Sequence, residues 1–140
     1  MSFLRSLDIS ASGMTAQRMR LDIVSENIVN RDTTRTADGG AYRKKSVVFQ
    51  NILSSAARDQ GRTKGGVEVA EIVEDNLTPM ELIYDPSHPD ANEEGYVEMP
   101  NVDILKETID AMSASRSYDA NVTAFNIMKQ MAAKGLDIGK

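Results

Sequence analysis

The 140-residue chain contains no cysteine and no tryptophan, one histidine and four prolines, and only 5% of its residues are aromatic. Without cysteine it has no disulfide framework, no thiolate zinc site and no cysteine nucleophile. With so few aromatic side chains, we expect a thin, aliphatic core whose stability depends on partners. The composition therefore predicts a small fold that is completed by other molecules.

Long apolar runs are missing as well. No stretch reaches the ~18 consecutive apolar residues of a membrane-spanning helix, and the opening residues MSFLR are not a basic leader followed by an unbroken apolar run. We therefore expect neither a membrane span nor a Sec-type signal. The formal net charge of −5 also argues against a general nucleic-acid binder.

Positive charge is absent from a long central segment. Residues 66–103 contain eleven acidic side chains and no lysine or arginine, whereas residues 31–65 contain eight basic and three acidic side chains. Two interpretations stay open. The blocks neutralise one another within the chain, or basic and acidic faces meet between neighbouring subunits and set their register and orientation.

Both ends of the chain carry apolar residues at helical spacing. In the first thirty residues the stripe consists of Leu4, Leu7, Ala11, Met14, Leu21, Val24 and Ile28. The second stripe, weak at residues 115–119, consists of Val102, Leu105, Ile109, Met112, Val122, Phe125, Met128 and Ala132. We predict that residues 1–30 and 100–136 form long helices packed as a coiled-coil-like pair, within one chain or between chains. Gly13 either allows close helix approach or is simply tolerated.

The middle of the chain has a different pattern. Residues 40–99 predict a β-rich insert with short strands at 41–49, 67–73, 80–84 and 96–99. The other segments are interpreted as a loop (31–40), a helical turn or extended chain (51–58) and a flexible stretch (59–66). The predicted fold class is mainly α with a small central β module. An ordinary small helical bundle is the alternative, but the middle offers no third helix.

Nothing in the sequence has the pattern of an active site. His88 has no second histidine or cysteine nearby, and the calcium-loop-like stretch 90–101 ends in Asn101, where a bidentate glutamate is needed. Lys64-Gly65-Gly66 lacks the spacing of a P-loop. We therefore expect no catalytic residue, no metal, no cofactor and no small-molecule substrate. This absence favours a structural or binding role.

Several peptides resemble one bacterial family. Ser25, Asn27, Ile28 and Asn30, followed by Thr33, are similar to the Ser-x-x-Asn-Ile-Ala-Asn signature of flagellar rod and hook proteins, with Val29 where alanine is usual. Further matches cover nearly the whole chain and resemble the proximal rod proteins of the flagellar basal body. They are carried by Tyr84, Asp85, Pro86, His88, Pro89, Gly95, Tyr96, Pro100, Asn101, Tyr118 and Asn121.

The resemblance implies a non-enzymatic subunit of the helical drive shaft that crosses the periplasm and transmits torque from the motor to the distal rod and hook. It implies export through the flagellum's own type III apparatus and terminal helices that pair during assembly. The implied partners are other copies of the chain, other proximal and distal rod subunits and the export apparatus. The implied location is the flagellar basal body.

The apolar stripes point to the residues that would pack subunits together. They are Leu7, Met14, Leu21 and Ile28 on the first helix and Leu105, Ile109, Met112, Val122 and Phe125 on the second. Asn27 and Asn30 are expected to cap or turn the helix end, with simple turn formation as the alternative. Two other classes stay open: a cytoplasmic coiled-coil adaptor or secretion chaperone, and a small hydrolase that uses Asp85 or Asp90.

Overall fold

The computed structural model describes residues 3–37, 39–53 and 63–138. Its elements, in chain order, are α1 (Phe3–Val29), β1 (Lys45–Leu53), β2 (Thr63–Glu74), β3 (Glu81–Tyr84), β4 (Tyr96–Met99) and α2 (Ile104–Ile138). Two long terminal helices pack together around an insert of short antiparallel strands. This architecture confirms the predicted fold class.

The two helices run antiparallel. Asn27 and Arg20 of α1 bond to Glu107 and Asp110 of α2, and Gly13 lies against Asn121 further along. A Cβ atom on Gly13 would lie 2.9 Å from the Asn121 Oδ1 atom. Gly13 therefore permits a close approach of the helices, which decides between the two interpretations of this glycine.

Polar side chains fix both helix ends that adjoin the insert. The Asp103 carboxylate caps α2, because its Oδ1 atom accepts hydrogen bonds from the backbone N–H groups of Leu105 (2.9 Å) and Lys106 (3.3 Å). Asn30 closes α1 by donating from Nδ2 to the Glu26 carbonyl at 2.9 Å. No non-glycine residue in the described ranges has a positive φ, so Asn30 caps the helix without the left-handed backbone that such a cap often uses.

The buried seam between the helices differs from the predicted stripes. On α1 the buried residues are Ser10, Ala16, Ile23, Val24 and Asn27, and on α2 they are Glu107 and Ala114. Of the predicted α1 stripe, Val24 is buried in this seam. The other large members lie at its edge or outside it: Leu7, Met14, Leu21 and Ile28 are half-buried, and Leu4 is 70% exposed.

The prediction of a single apolar face on α2 is wrong in its first half. Leu105, Ile109 and Met112 are exposed, whereas Val122 and Phe125 are half-buried. At 100° per residue, Leu105 lies about 200° around the helix from Glu107. The seam contains the buried polar pair Asn27 and Glu107, and a search for apolar periodicity does not detect such a pair.

A β-bulge explains why apolar and polar residues alternate imperfectly along β2, which reads VEVAEIVE from Val67. In the β1–β2 hairpin Val48 lies opposite Glu71 and Phe49 opposite Val69, so Ala70 is an extra residue. The bulge shifts the alternation by one residue, which restores Ile72 to a position opposite Val47. A separate hairpin pairs β3 with β4.

The predicted strands are confirmed with shifted boundaries. Strand β1 begins at Lys45 and continues to Leu53, so residues 51–53 are extended and not a helical turn. Residues 63–66 belong to β2, so their interpretation as a flexible stretch is wrong. Residues 54–58 and 59–62 lie outside the described residues.

Two consecutive glycines bring the start of β2 against α1. Gly65 and Gly66 have φ angles of +85° and +108°, and Cβ atoms there would lie 2.9 Å from Ile9 Cδ1 and 2.8 Å from Ser12 Oγ. The backbone N–H of Val67 donates to Ser12 Oγ at 3.1 Å. Glycine is required here by both backbone conformation and space.

Substituting Gly66→Ala should lower the free energy of unfolding by about 1–2 kcal/mol from backbone strain alone, with a further cost from the contact with Ser12. The matched control is Gly135→Ala on α2, where a Cβ would meet nothing within 4 Å. This control should gain about 0.5–1 kcal/mol. Urea unfolding of both variants measures the difference, and an unchanged midpoint for Gly66→Ala would contradict the packing of the hairpin on α1.

Candidate functional site: a buried polar hub and the surfaces around it

The side chain of Asn27 is fully buried and makes four hydrogen bonds. Its Oδ1 atom accepts from the Tyr42 hydroxyl and from the Lys45 backbone N–H, both at 2.9 Å. Its Nδ2 group donates to the Lys45 carbonyl and to Glu107 Oε2, both at 2.9 Å. The full capacity of a carboxamide is used. Asn27 thus joins α1, the start of β1 and α2 at one point, which we call the hub (Asn27, Tyr42, Lys44, Lys45 and Glu107).

The charge on Glu107 is balanced inside the hub. Glu107 is 1% exposed, and Lys44 Nζ lies 2.5 Å from its Oε1 atom. Among the described residues no hydrogen bond reaches this oxygen atom, so Oε1 is held by the ion pair with Lys44. A buried carboxylate without its partner would be costly, and the residue before β1 therefore has a structural reason to be a lysine.

A second ion pair closes the hub toward solvent. Lys45 Nζ lies 2.7 Å from Glu26 Oε1 and 5.5 Å from the centre of the Tyr42 ring. The hydrogen bond to Glu26 raises the pKa of Lys45. Burial, followed by the negative charges of Glu26 and Glu107, raises the pKa of Tyr42 to about 12. Both side chains therefore hold their protons more tightly in the folded chain.

Asn101 connects the hub to the second hairpin. Its Oδ1 atom accepts from the Lys44 backbone N–H at 2.8 Å, and its Nδ2 group donates to the carbonyls of Asp75 (3.0 Å) and Thr78 (3.2 Å). Pro100, beside it, is buried. Asn101, which follows β4, is therefore hydrogen-bonded both to the residue before β1 and to the residue after β2.

The Tyr84–Tyr96 motif builds the closed end of the β3–β4 hairpin. The two tyrosines face each other across the strands with ring centres 5.2 Å apart, edge to face. Gly95 has a φ of +81°, and a Cβ there would lie 3.0 Å from the Tyr84 ring and 3.1 Å from Pro86 Cβ. Asp85 adds a turn, because its Oδ1 atom accepts from the Ser87 N–H at 3.0 Å.

His88 and Asp90 attach this turn to the loop after α1. His88 Nδ1 accepts from the Asp90 N–H at 3.1 Å, and the Asp90 carboxylate accepts from Thr34 Oγ1 at 2.8 Å and pairs with Arg35. Hydrogen bonds from Ser87 and Thr34, respectively, lower the pKa values of Asp85 and Asp90. Both carboxylates are therefore engaged in holding the turn. A general acid or base needs a pKa near the working pH, so their lowered pKa values argue against the hydrolase alternative.

The cavity beside the hub has a volume of about 280 Å³ and is lined by both helices and β1. Its charged side chains are already paired, Arg20 with Asp110 and Lys44 with Glu107. Within the described ranges, no three histidine, cysteine or acidic residues are grouped so as to hold a metal ion. In that same part of the chain no helix is long and apolar enough to cross a membrane.

The two charge blocks neutralise each other only in part. Arg35 pairs with Asp90 of the acidic block, but Lys44 and Lys45 pair with acids on the helices. Among the residues that the structure describes, the glutamates between 66 and 98 make no ion pair. They are Glu68, Glu71, Glu74, Glu81, Glu93, Glu94 and Glu98, and all are exposed. The insert therefore presents a negative surface.

The remaining family-motif residues have different places in the structure. Asn27 was expected to cap or turn the helix end, and its place at the centre of the hub corrects this. Tyr118 and Asn121 lie on the inner face of α2 and are half-buried, Ser25 is exposed and bonds locally to Leu21, and Pro89 is exposed in the turn. Sequence reasoning missed Tyr42, Lys44 and Glu107 as hub members. The one available signal for Glu107 was its spacing of seven residues, two helical turns, from the small residue Ala114 on the same face of α2.

Comparison with known proteins agrees with this geometry. Residues 7–35 match the family described as flagella basal body rod protein, and residues 93–138 match the C-terminal family of flagellar basal body rod FlgEFG proteins. The chain is 48% identical to the flagellar basal-body rod protein FlgC of Bacillus subtilis, with both chains fully covered. It is 44% identical to FlgC of Escherichia coli O157:H7 over 100% of both chains, and 40% identical to FlgC of Borreliella burgdorferi over 99% of this chain and 98% of the relative.

The fold and these matches define a structural protein of the flagellar basal body, located in its rod, and not an enzyme. Identity of this level along the full length narrows the class further. The chain belongs to the FlgC family of flagellar basal-body rod proteins.

Asn27→Asp should lower the free energy of unfolding by about 3 kcal/mol at pH 7, because it places a second carboxylate against buried Glu107 and removes a donor. Like charges raise the pKa of one of the pair above its unfolded value, so the loss should shrink as the pH falls toward 5. Asn126→Asp, on the exposed face of α2, should change stability by less than about 0.5 kcal/mol. Urea unfolding at both pH values tests this, and a pH-independent loss would contradict the hub geometry.

The hub should also make the chain sensitive to alkali. Because the pKa values of Tyr42 and Lys45 are raised on folding, their stabilising contribution is complete below their unfolded values of 10.0 and 10.5 and is lost as the pH rises toward 12. Tyr42→Phe keeps the ring and removes one titrating group, so its stability should fall less steeply between pH 10 and 12. Equal slopes for the two proteins would contradict the assignment.

Proposed function

We propose that this chain assembles with copies of itself and with other rod subunits into the proximal part of the rod, where it transmits torque toward the distal rod and hook. Export through the flagellum's own type III apparatus belongs to the same proposal. The observation that carries it is an apolar stripe on the outer face of α2. Its members are Leu105 (70% exposed), Ile109 (59%) and Met112 (52%).

The spacing of this stripe suits a contact between helices. Residues 105, 109 and 112 follow each other at steps of four and three, so their side chains lie within about 60° of one another around α2. The opposite face of α2 already packs on α1. A second helix lying along the stripe would bury it as a coiled-coil-like seam.

The α1 members Leu7, Met14, Leu21 and Ile28 are half-buried at the edge of the helix pair, as are Val122 and Phe125 on α2. Part of each side chain is therefore left for a neighbouring subunit. We assign these residues to the flanks of the same inter-subunit packing and the outer stripe of α2 to its centre.

Torque transmission requires that each subunit turn as one body. The hub provides this, because it bonds the insert to both helices with directional contacts at 2.9 Å. Interlocked apolar side chains then resist sliding between subunits, and the exposed glutamates of the insert favour neighbours that present positive charge.

Ile109→Asp tests the assembly role most cleanly, since Ile109 is exposed and its loss should leave the isolated chain as stable as before. Swimming should be abolished, and the chain should be absent from detergent-extracted basal bodies. Ser115→Asp, on the exposed flank of the same helix, is the matched control and should swim.

Normal swimming and normal incorporation of the Ile109→Asp variant would contradict a subunit contact at this stripe. The same extraction separates the proposal from a cytoplasmic adaptor or chaperone, because an adaptor would stay with the soluble fraction while a rod subunit would co-purify with the basal bodies.

A further inference from the structure

A groove lined by both apolar and polar residues lies at the end of the molecule where α2 begins. It is enclosed by the β3–β4 hairpin and the first turn of α2, has a volume of about 750 Å³, and its apolar lining includes Pro79, Ile83, Met99, Ile104 and Leu105. Ile83 is 43% and Leu105 70% exposed. The groove has room for several side chains.

The other end of α2 extends past α1. Ala114, Phe125 and Leu136 are spaced by eleven residues, about three turns, so all three point toward α1. Ala114 is 0% exposed and Phe125 half-buried, but Leu136 is 74% exposed. Gly13 of α1 lies against Asn121 of α2. Because the helices are antiparallel, counting ten residues back along α1 and ten forward along α2 places Phe3, the first residue of α1, opposite residue 131. The last two turns of α2 therefore have no α1 residue of the described chain beside them.

Charge distinguishes these two ends of the molecule. Residues 127–138, the end of α2, contain Lys129, Lys134 and Asp137, whose charges sum to +1, whereas residues 80–99 contain six acidic residues and no lysine or arginine. On the groove itself the pairs Arg31–Asp32 and Lys106–Asp103 cancel, which leaves the charge of Glu81. The groove wall therefore carries a net charge of −1 and residues 127–138 a net charge of +1, which are opposite in sign.

We propose that the groove receives the C-terminal end of α2 from a second copy of this chain, with Met131 and Leu136 packed against Ile83 and Leu105. The inference rests on the proposed rod assembly and specifies one contact within it. The two surfaces are at opposite ends of a 35-residue helix, about 50 Å apart, so one chain cannot join them itself. Repeating the contact head to tail links more than two subunits, in a filament or a ring, and does not stop at a closed pair.

Because the native chain has no cysteine, introduced thiols report this contact without background. Cells carry the double variant Ile83→Cys and Leu136→Cys in place of the native chain, and their extracted basal bodies are oxidised with copper phenanthroline. A ladder of disulfide-linked oligomers of this chain, reversed by a thiol reductant, is the expected result. The matched control is Leu82→Cys with Leu136→Cys, because Leu82 is 60% exposed but points to the other face of β3. It should give less than a tenth of the cross-linking.

Each alternative outcome overturns the proposal in a recognisable way. A dimer without higher oligomers would indicate a closed antiparallel pair, and equal cross-linking by the Leu82 control would indicate random collision. A link to a different protein would assign the groove to another rod subunit. Swimming of the double variant under reducing conditions, without cross-linking, would leave the proposed rod function standing and remove only the head-to-tail contact. If Leu136→Cys prevents swimming, Met131→Cys with Leu105→Cys makes the same test.

Discussion

The carboxamide of Asn27 is the interaction on which the arrangement of this chain depends. It bonds at once to the backbone of Lys45, to the Tyr42 hydroxyl and to the Glu107 carboxylate. Burial of apolar surface is non-directional and cannot by itself fix the angle between two helices and a hairpin. Four hydrogen bonds that use every donor and acceptor of one side chain can do so.

The polar hub has a consequence for the surface. The buried apolar side chains in the described ranges are few, and most are small or medium in size: Ala16, Ile23, Val24, Tyr42, Val97 and Ala114. Longer apolar side chains are left outside, along α2 and at both of its ends. A rod subunit needs both properties, a defined shape of its own and apolar surface that neighbouring subunits cover.

Much of the fold follows from the sequence, and the exact seam does not. The terminal helices, the three strands after residue 66 and the loop 31–40 follow from local periodicity and turn residues, which are properties of short segments. The contacts of Asn27 with Glu107 join residues 80 positions apart, and no local pattern predicts such a pair. The stripe of Leu105, Ile109 and Met112 was recognised as apolar and assigned to subunit packing, but it was taken to share one face of α2 with Val122 and Phe125, because periodicity does not say what covers a face.

The motif residues show how a resemblance and a structure complement each other. Asn101, Tyr84 and Gly95 were recognised as a signature only, and Asn27 as a signature and a helix-end residue. The structure gives each a physical reason: Asn27 centres the hub, Asn101 bridges the hairpins, Tyr84 makes a ring contact and Gly95 forms a turn that only glycine fits. Of these four, Asn101 also lines the groove beside the start of α2. The signature of this family thus records how the subunit holds its shape, while its binding surfaces are formed by ordinary apolar and charged side chains.

The measurement that tests this account most directly is native-state hydrogen exchange of the isolated chain, resolved by residue. If the hub organises the fold, the most slowly exchanging amides should lie around it, in residues 20–29, 45–49 and 107–115, with protection falling toward residues 3–9 and 127–138. Rapid exchange around Asn27 with strong protection at the distant helix ends would contradict the account, because the helix pair would then hold together without the hub.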